Sequence, residues 1–277
     1  MLLHLLLSVL ATAPALASYC LEGATGDNCD DLDAIINKLF TNYSRYERPK
    51  PHHCDADNTT SDTVFVEINF YIKSLSAVNI VDMDFRLDTL LRQRWYDPRL
   101  DVGTLYNYSD VPIHLHMLDI WLPDLFFRNS KSSTLHAITT PNTLAWINSN
   151  GMITYSQKLT IELSCPMQLW DFPMDTQHCS ANIGSYGYST RDLEFRWWNE
   201  GGYDCSGQKR SGSVLNAAVQ LEDNQINEYT VVKHTCTYCD RAYKTTGKFS
   251  CLNVEFELSR KFGFYLIYAY LPSLLVV

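Results

Sequence analysis

The side chains with the widest chemical choice in this 277-residue chain are its nine cysteines and eight histidines. Cys165 and Cys179 bracket thirteen residues in the run Cys-Pro-Met-Gln-Leu-Trp-Asp-Phe-Pro-Met-Asp-Thr-Gln-His-Cys. Outside a reducing compartment such a pair suits a disulfide, and closing a loop of that length removes about 3 kcal/mol of unfolded-chain entropy. Pro166 and Pro173 stiffen the enclosed segment. Cys236-Thr-Tyr-Cys239 has the two-residue spacing of zinc and redox sites, for which His234 is the nearest further ligand. A zinc ion needs two ligands beyond that pair of thiols. His52, His53 and Cys54 stand together in a polar stretch, but no ordered base, acid and oxyanion site accompanies them. The sequence therefore reads as non-enzymatic, with no catalytic residue, cofactor or metal assigned.

The elements that carry these residues follow from composition and period. The chain is 46% hydrophobic, enough for a core, and its net charge of -9 with no basic run argues against nucleic acid as a partner. Residues 1–17 read as a signal peptide: Leu2–Leu10 is apolar apart from His4 and Ser8, and Ala15-Leu16-Ala17 has the small-x-small cleavage pattern. A buried N-terminal strand or helix is the other reading of that run. Secretion agrees with the cysteine content and with sequons at Asn42, Asn58 and Asn107. Asp31 can cap a helix whose stripe is Leu32, Ile35, Ile36, Leu39 and Phe40.

Beyond a polar loop over Thr41 to Thr63 the period becomes two. Val66, Ile68, Phe70 and Ile72 alternate with polar residues, as do Leu159, Ile161 and Leu163, and Val254, Phe256 and Leu258. Asn150-Gly151 signals a two-residue hairpin between Ala145–Ile147 and Ile153–Tyr155. Many strands with turn punctuation predict an all-β, antiparallel β-sandwich. The last stretch, 262–277, is apolar except for Gly263, Pro272 and Ser273, and follows Arg260-Lys261. It reads as the beginning of a transmembrane helix with a basic pair at its water end, shorter than the roughly 20 residues a bilayer requires. A buried strand is the alternative.

The Cys165–Cys179 segment, with Phe172-Pro173-x-Asp175 inside it, resembles the signature loop of the Cys-loop ligand-gated ion channels. The resemblance spans about Val64 to Val277. It includes Trp95-x-Asp97-Pro98-Arg99-Leu100, Trp121-Leu-Pro123-Asp124-Leu-Phe126-Phe127, Asn150-Gly151-x-x-x-Tyr155-Ser156 and Ser185-Tyr186-Gly187-Tyr188-Ser189. Thr246-Gly247-Lys248-Phe249-Ser250-Cys251 and Phe264-Tyr265-Leu266-Ile267-x-x-Tyr270-Leu271-Pro272-Ser273 continue it. The pattern is most similar to glycine-gated and invertebrate glutamate-gated chloride channels. It implies a ten-stranded sandwich with an N-terminal helix over 18–261. It also implies a plasma-membrane homo- or hetero-pentamer with an extracellular binding domain, and a small amino-acid or amine neurotransmitter bound between subunits.

Several roles come with that resemblance. A second bridge joins Cys239 to Cys251 across the loop that closes on the ligand, with one more intervening residue than in those relatives; Cys236 is an alternative partner. Apart from the resemblance, Cys20, Cys29, Cys54, Cys205 and Cys236 remain, an odd number whose pairing the sequence leaves open, Cys20–Cys29 with Cys205–Cys236 being one arrangement. One binding face offers Phe126, Phe127, Ser185, Tyr186, Thr246 and Phe249; the other offers Leu90, Arg92 and Ser156. Arg92 stands where relatives with anionic transmitters hold the carboxylate, which a guanidinium fork can grip with two bonds. No arginine occurs in Val64–Lys73, where glutamate-gated relatives carry a second one, and Lys158 is the replacement cation. Coupling to the membrane is expected from Asn79, Ile80 and Val81, from Phe172, Pro173 and Asp175, and from Arg260, placed to pair with Asp175. A secreted or non-conducting binding protein of the same fold is the rival reading.

Overall fold

The computed structural model describes residues 39–51, 53–54, 60–101, 113–114, 120–148, 150–198, 218–222, 226 and 228–276. Residues 1–17, Asp31, Asn58, Asn107, Cys20, Cys29 and Cys205 lie outside the described residues. Residues 1–43 and 44–277 form separate compact units. In the first, Leu39 and Phe40 are helical, Phe40 meets Tyr43 edge to face at 5.3 Å, and Asn42 is exposed.

In the second unit, period-two patterning produces long strands with one buried face. Strands β1 (Val64–Asn79), β2 (Asp84–Asp101), β3 (Leu125–Phe127), β4 (Ser130–Leu135) and β5 (Thr143–Ile147) come first. They are followed by β6 (Asn150–Ser164), β7 (Thr176–Ser185), β8 (Leu193–Trp197), β9 (Val219–Leu221), β10 (Tyr229–Tyr238) and β11 (Cys251–Arg260). The larger sheet runs β8-β1-β2-β6-β5, with β9 beside β1, β4 beside β6 and the short strand Ile113–His114 at the β5 edge. The smaller sheet runs β10-β11-β7-β3. Val66, Ile68, Phe70 and Ile72 of the larger sheet are sealed from solvent, as are Val254, Phe256 and Leu258 of the smaller. Phe85 meets Phe256 edge to face at 6.3 Å across the two.

The fold is an all-β sandwich, and it departs from the sequence reading in two details. Not every pairing is antiparallel: β8 and β9 both run parallel to β1. Neither is joined to β1 directly along the chain, so no tight hairpin turn forces an antiparallel pairing. The hairpin at Asn150-Gly151 is also longer than two residues. Asn148 N–H donates to Met152 O at 2.9 Å and Gly151 takes φ 75°, a conformation that glycine adopts without steric cost. Asp101 pairs with Asn150, and a Cβ on Gly151 would stand 2.7 Å from Asp97 O.

The tryptophan and arginine motif at the far end of β2 is a packing device. Asp97 is fully buried, and Arg99 grips it with Nε at 2.8 Å and Nη2 at 2.7 Å. The same guanidinium donates from Nη1 to Ser44 O and Glu47 O, tying the preceding loop to β2. At the C-terminus Phe262–Tyr265, a π-helical turn Leu266–Tyr270, and Leu271–Val276 follow one another, so the apolar run is helical and not a strand. Among the described residues no helix is long and apolar enough to cross a membrane.

Candidate functional site

The outer face of the larger sheet gathers one group of the expected site residues. Leu91 and Gln93 are buried, so the pleat turns Leu90, Arg92 and Arg94 outward. Register places Asn69, Arg92, Ser156 and Leu144 in one row across β1, β2, β6 and β5. Leu90 stands opposite Lys158 on the next row. The arginines of this face differ in what they hold. Arg94 is committed: it binds Glu67 through Nε at 2.6 Å and through Nη2, and stacks over Trp198 at 4.1 Å. Arg86 binds Glu162 at 2.7 Å. Among the described residues Arg92 makes only a 3.5 Å hydrogen bond to Asn69 Oδ1 and lies 5.6 Å from the Tyr71 ring. The Lys158 ammonium has no hydrogen bond or ion pair among the described residues, its backbone alone being tied to Asn142 O and to the His136 N–H. Two cations with donors to spare therefore share this face with the hydroxyl-bearing Ser156.

A second group forms on the smaller sheet. Phe126 and Tyr186 meet edge to face at 5.4 Å. Asp124 builds the segment that holds Tyr186: it accepts from the Tyr186 N–H at 3.1 Å, the Gly187 N–H at 2.6 Å and the Ser185 hydroxyl at 2.7 Å. The Ser185 oxygen in turn accepts from Tyr188 N–H at 2.9 Å. Ser185 is thus 2% exposed with its hydroxyl already spent, and it shapes the segment instead of offering a free donor. Phe127, one pleat on from Phe126, packs edge to face on buried Phe70 at 6.1 Å, away from Tyr186.

The loop above this group is a two-stranded tongue, Arg241–Tyr243 against Gly247–Phe249, closed at its base by the Cys239–Cys251 disulfide. Asp240 fixes that base, accepting from Cys251 N–H at 3.0 Å and pairing with Lys248 at 2.8 Å. Phe249 meets Tyr243 edge to face at 5.8 Å, and Thr246 is exposed at the turn. Cys239 is consumed by this bridge and Cys236 is a free thiol, so Cys236-x-x-Cys239 is not a two-thiol site. Burial pushes the Cys236 thiol up to about 11. Asp124, Tyr243 and Asn69 take part in these two groups without having been singled out from the sequence. Asp124 lay inside a quoted motif, but a carboxylate that caps loop amides looks the same in sequence as a solvated one.

The Cys165–Cys179 disulfide closes the loop that begins after β6 and ends on β7. With that loop, the two sheets and the bridged tongue in place, the comparison with known families is direct: residues 32–262 match the model of the neurotransmitter-gated ion-channel ligand binding domain. The chain belongs to that family.

In a ligand-binding domain of this family, the end carrying the Cys165–Cys179 loop shows dense polar wiring. Arg260, at the end of β11, donates to Asp175 from Nε to Oδ1 at 2.5 Å and from Nη2 to Oδ2 at 2.8 Å. Its third arm donates from Nη1 to Tyr265 Oη at 2.9 Å, and that hydroxyl donates to Glu228 at 2.7 Å. Phe172 packs edge to face on Tyr265 at 5.1 Å, and the Phe172–Pro173 peptide is cis. Burial alone raises the Asp175 carboxyl, but the hydrogen bonds from Arg260 and Gln177 outweigh it and hold the group below the usual carboxylate range.

The turn after β1 adjoins this wiring. Asn79 Oδ1 accepts from the Val81 N–H at 2.9 Å and the Asp82 N–H at 3.2 Å, an Asx turn that leaves Val81 90% exposed. Ile80 lies at its tip. Met83 links turn to loop, since Cys165 N–H donates to Met83 O at 2.8 Å. A cavity between the turn and the first helical segment is lined by Asn79, Ile80, Glu228 and Tyr265.

Proposed function

We propose that this chain is the extracellular binding domain of a pentameric, chloride-selective channel subunit gated by a small amino acid, whose carboxylate is held by Arg92. The observation that carries the reading is the state of that guanidinium. Its neighbours Arg86 and Arg94 are bound to carboxylates within the fold, whereas Arg92 faces outward with most of its donors uncommitted. An arginine fork of this kind is suited to a planar carboxylate, and Ser156 beside it supplies a hydroxyl for orientation. Tyr186, Phe126, Tyr243 and Phe249 supply aromatic faces for an ammonium group. Chloride selectivity is supported by the motif resemblance to glycine-gated and glutamate-gated chloride channels.

In this reading the tongue closes over ligand at the subunit interface, and the ligand shifts the gating equilibrium by its preference for the closed tongue. Asn79, Ile80 and Val81, the Phe172-Pro173-x-Asp175 segment and Arg260 carry that change towards the membrane. Residues 1–17 act as the leader, and 262–277 begin the first membrane span. The test is a set of concentration–response curves on the full-length subunit for glycine, L-glutamate, GABA and an amine lacking a carboxylate. Arg92→Ala is expected to cost about 2–5 kcal/mol, a loss of about 30-fold or more in apparent affinity for the carboxylate ligands. Unchanged curves for those ligands remove Arg92 from the site, and activation by the amine alone removes the amino-acid reading.

A further inference from the structure

Arg128 sits where the chain leaves β3 and crosses to β4 in the other sheet. Its backbone N–H is fixed to Asn182 O at 2.8 Å, and Asn129 anchors the crossing by donating to Ser164 O and Ser180 O. The guanidinium is accommodated because residue 184 is glycine: a Cβ there would stand 2.6 Å from Arg128 Nε and 2.8 Å from Nη2. Gly184 pairs with Cys251, so the guanidinium lies at the root of the disulfide-bridged tongue. It is poorly satisfied there. Nη2 reaches Ser250 O at 3.4 Å, and Nη1 is buried with no hydrogen-bond partner.

Among the described residues its charge is only partly compensated, with Asp240 the carboxylate that acts on it. Arg241 of the tongue adds a second positive charge, while Asp240 is already engaged by Lys248 and by the Cys251 N–H. Burial is the main cause that lowers the Arg128 pKa, which marks the charge as under-compensated. A buried, charged donor without a partner is costly unless something supplies the acceptor. The acceptor that suits a guanidinium beneath a closing loop is a carboxylate.

We propose that Arg128 is a carboxylate-binding, specificity-determining residue on the tongue side of the site, and that the ligand is an acidic amino acid or small dicarboxylate with a carboxylate for each face. This rests on the reading of Arg92 as the partner of the other carboxylate. It accounts for the lack of an arginine in Val64–Lys73, because the second cation comes from the opposite face of the interface. It also disfavours a purely cationic ligand, which would meet Arg128 and Arg241 together.

The experiment measures apparent affinities of the full-length subunit, expressed at the cell surface, for L-glutamate, succinate, glycine and choline. Arg128→Gln, Arg128→Lys and Arg92→Gln are compared with wild type. Arg128→Gln is expected to weaken L-glutamate and succinate by about 30-fold while changing glycine by less than about 3-fold, and Arg92→Gln to weaken all three. Arg128→Lys, which keeps the charge without the fork, should fall between wild type and Arg128→Gln. Equal losses for glycine and L-glutamate in Arg128→Gln assign Arg128 a structural role and overturn the proposal. If L-glutamate loses affinity in Arg92→Gln but not in Arg128→Gln, the proposal fails and the Arg92 reading stands; no effect in Arg92→Gln overturns both. Should Arg128→Gln fail to reach the surface, wild-type ranking decides: glycine or choline binding more tightly than L-glutamate and succinate overturns the assignment.

Discussion

Arg260 and Asp175 are joined by two parallel bonds of 2.5 and 2.8 Å in a setting where the arginine is 5% and the aspartate 4% exposed. The guanidinium is also packed among rings, 4.5 Å from the centre of Tyr229 and 4.9 Å from that of Phe172. Removing one member strands the other, so Asp175→Asn or Arg260→Ala is expected to lower stability by about 3–5 kcal/mol, read from denaturant midpoints at neutral pH. A change under about 1 kcal/mol would show that the pair is solvated in solution.

The same pair sets a pH dependence. The folded-state pKa of Asp175 lies below the ordinary value of 3.8, so its contribution is complete above that value and is lost as pH falls through the lower one. Below about 3.8 the unfolded chain takes up the Asp175 proton before the folded chain does. Wild type should therefore lose stability more steeply with acid than Asp175→Asn does in this range. Parallel acid titrations of the two proteins would contradict the assignment.

Asp124 should matter to the site more than to the fold. It gathers two backbone N–H groups and one hydroxyl around a single carboxylate, all within the segment that carries Tyr186. Asp124→Ala is expected to destabilise by about 1.5–3 kcal/mol and, with Tyr186 released from Phe126, to weaken ligand binding as well. Melting curves and binding isotherms on the same preparation separate the two effects, and unchanged affinity would count against Tyr186 as a site residue.

How far the sequence discloses this molecule depends on whether a feature is local. Period-two runs identified β1, β6 and β11 because burial of one face leaves its mark along a single strand. The parallel pairing of β8 and β9 with β1 was not legible, since partners far apart in sequence leave no local pattern. Site residues divide in the same way. Arg92 stood out through its motif, but its difference from Arg94 lies in Glu67 and Trp198, which only folding brings near. Phe126 and Phe127 look equivalent as a dipeptide, and the pleat sends one to Tyr186 and the other to Phe70. Arg128 depends on a glycine 56 positions away, so its placement could not be read from its neighbours.

Cysteine reactivity follows from the bridges. Under non-reducing conditions Cys165–Cys179 and Cys239–Cys251 peptides should be recovered linked, with Cys236 as a thiol. That thiol is half buried with its pKa pushed up to about 11, so iodoacetamide at pH 8 should alkylate it slowly in folded protein and rapidly in urea. Replacing Cys165 and Cys179 together by serine should cost about 3 kcal/mol. Fast labelling of Cys236 in the folded state would mean that β10 opens there.

Lys158 tests whether the two uncommitted cations of the larger sheet act on one ligand group. It faces Leu90 across the β2–β6 pair, while Arg92 faces Ser156 one row away. A lysine so placed contributes a point charge without the arginine fork, and on a half-exposed surface that is worth about 0.2–1 kcal/mol. Lys158→Met should therefore weaken a carboxylate ligand by no more than about 5-fold, against about 30-fold for Arg92→Ala. If both touch the same carboxylate, the double variant should lose less than the product of the single losses, because residues sharing a partner couple. Strict multiplication would place Lys158 outside the site. A loss in Lys158→Met as large as that in Arg92→Ala would move the main cation one row along the sheet.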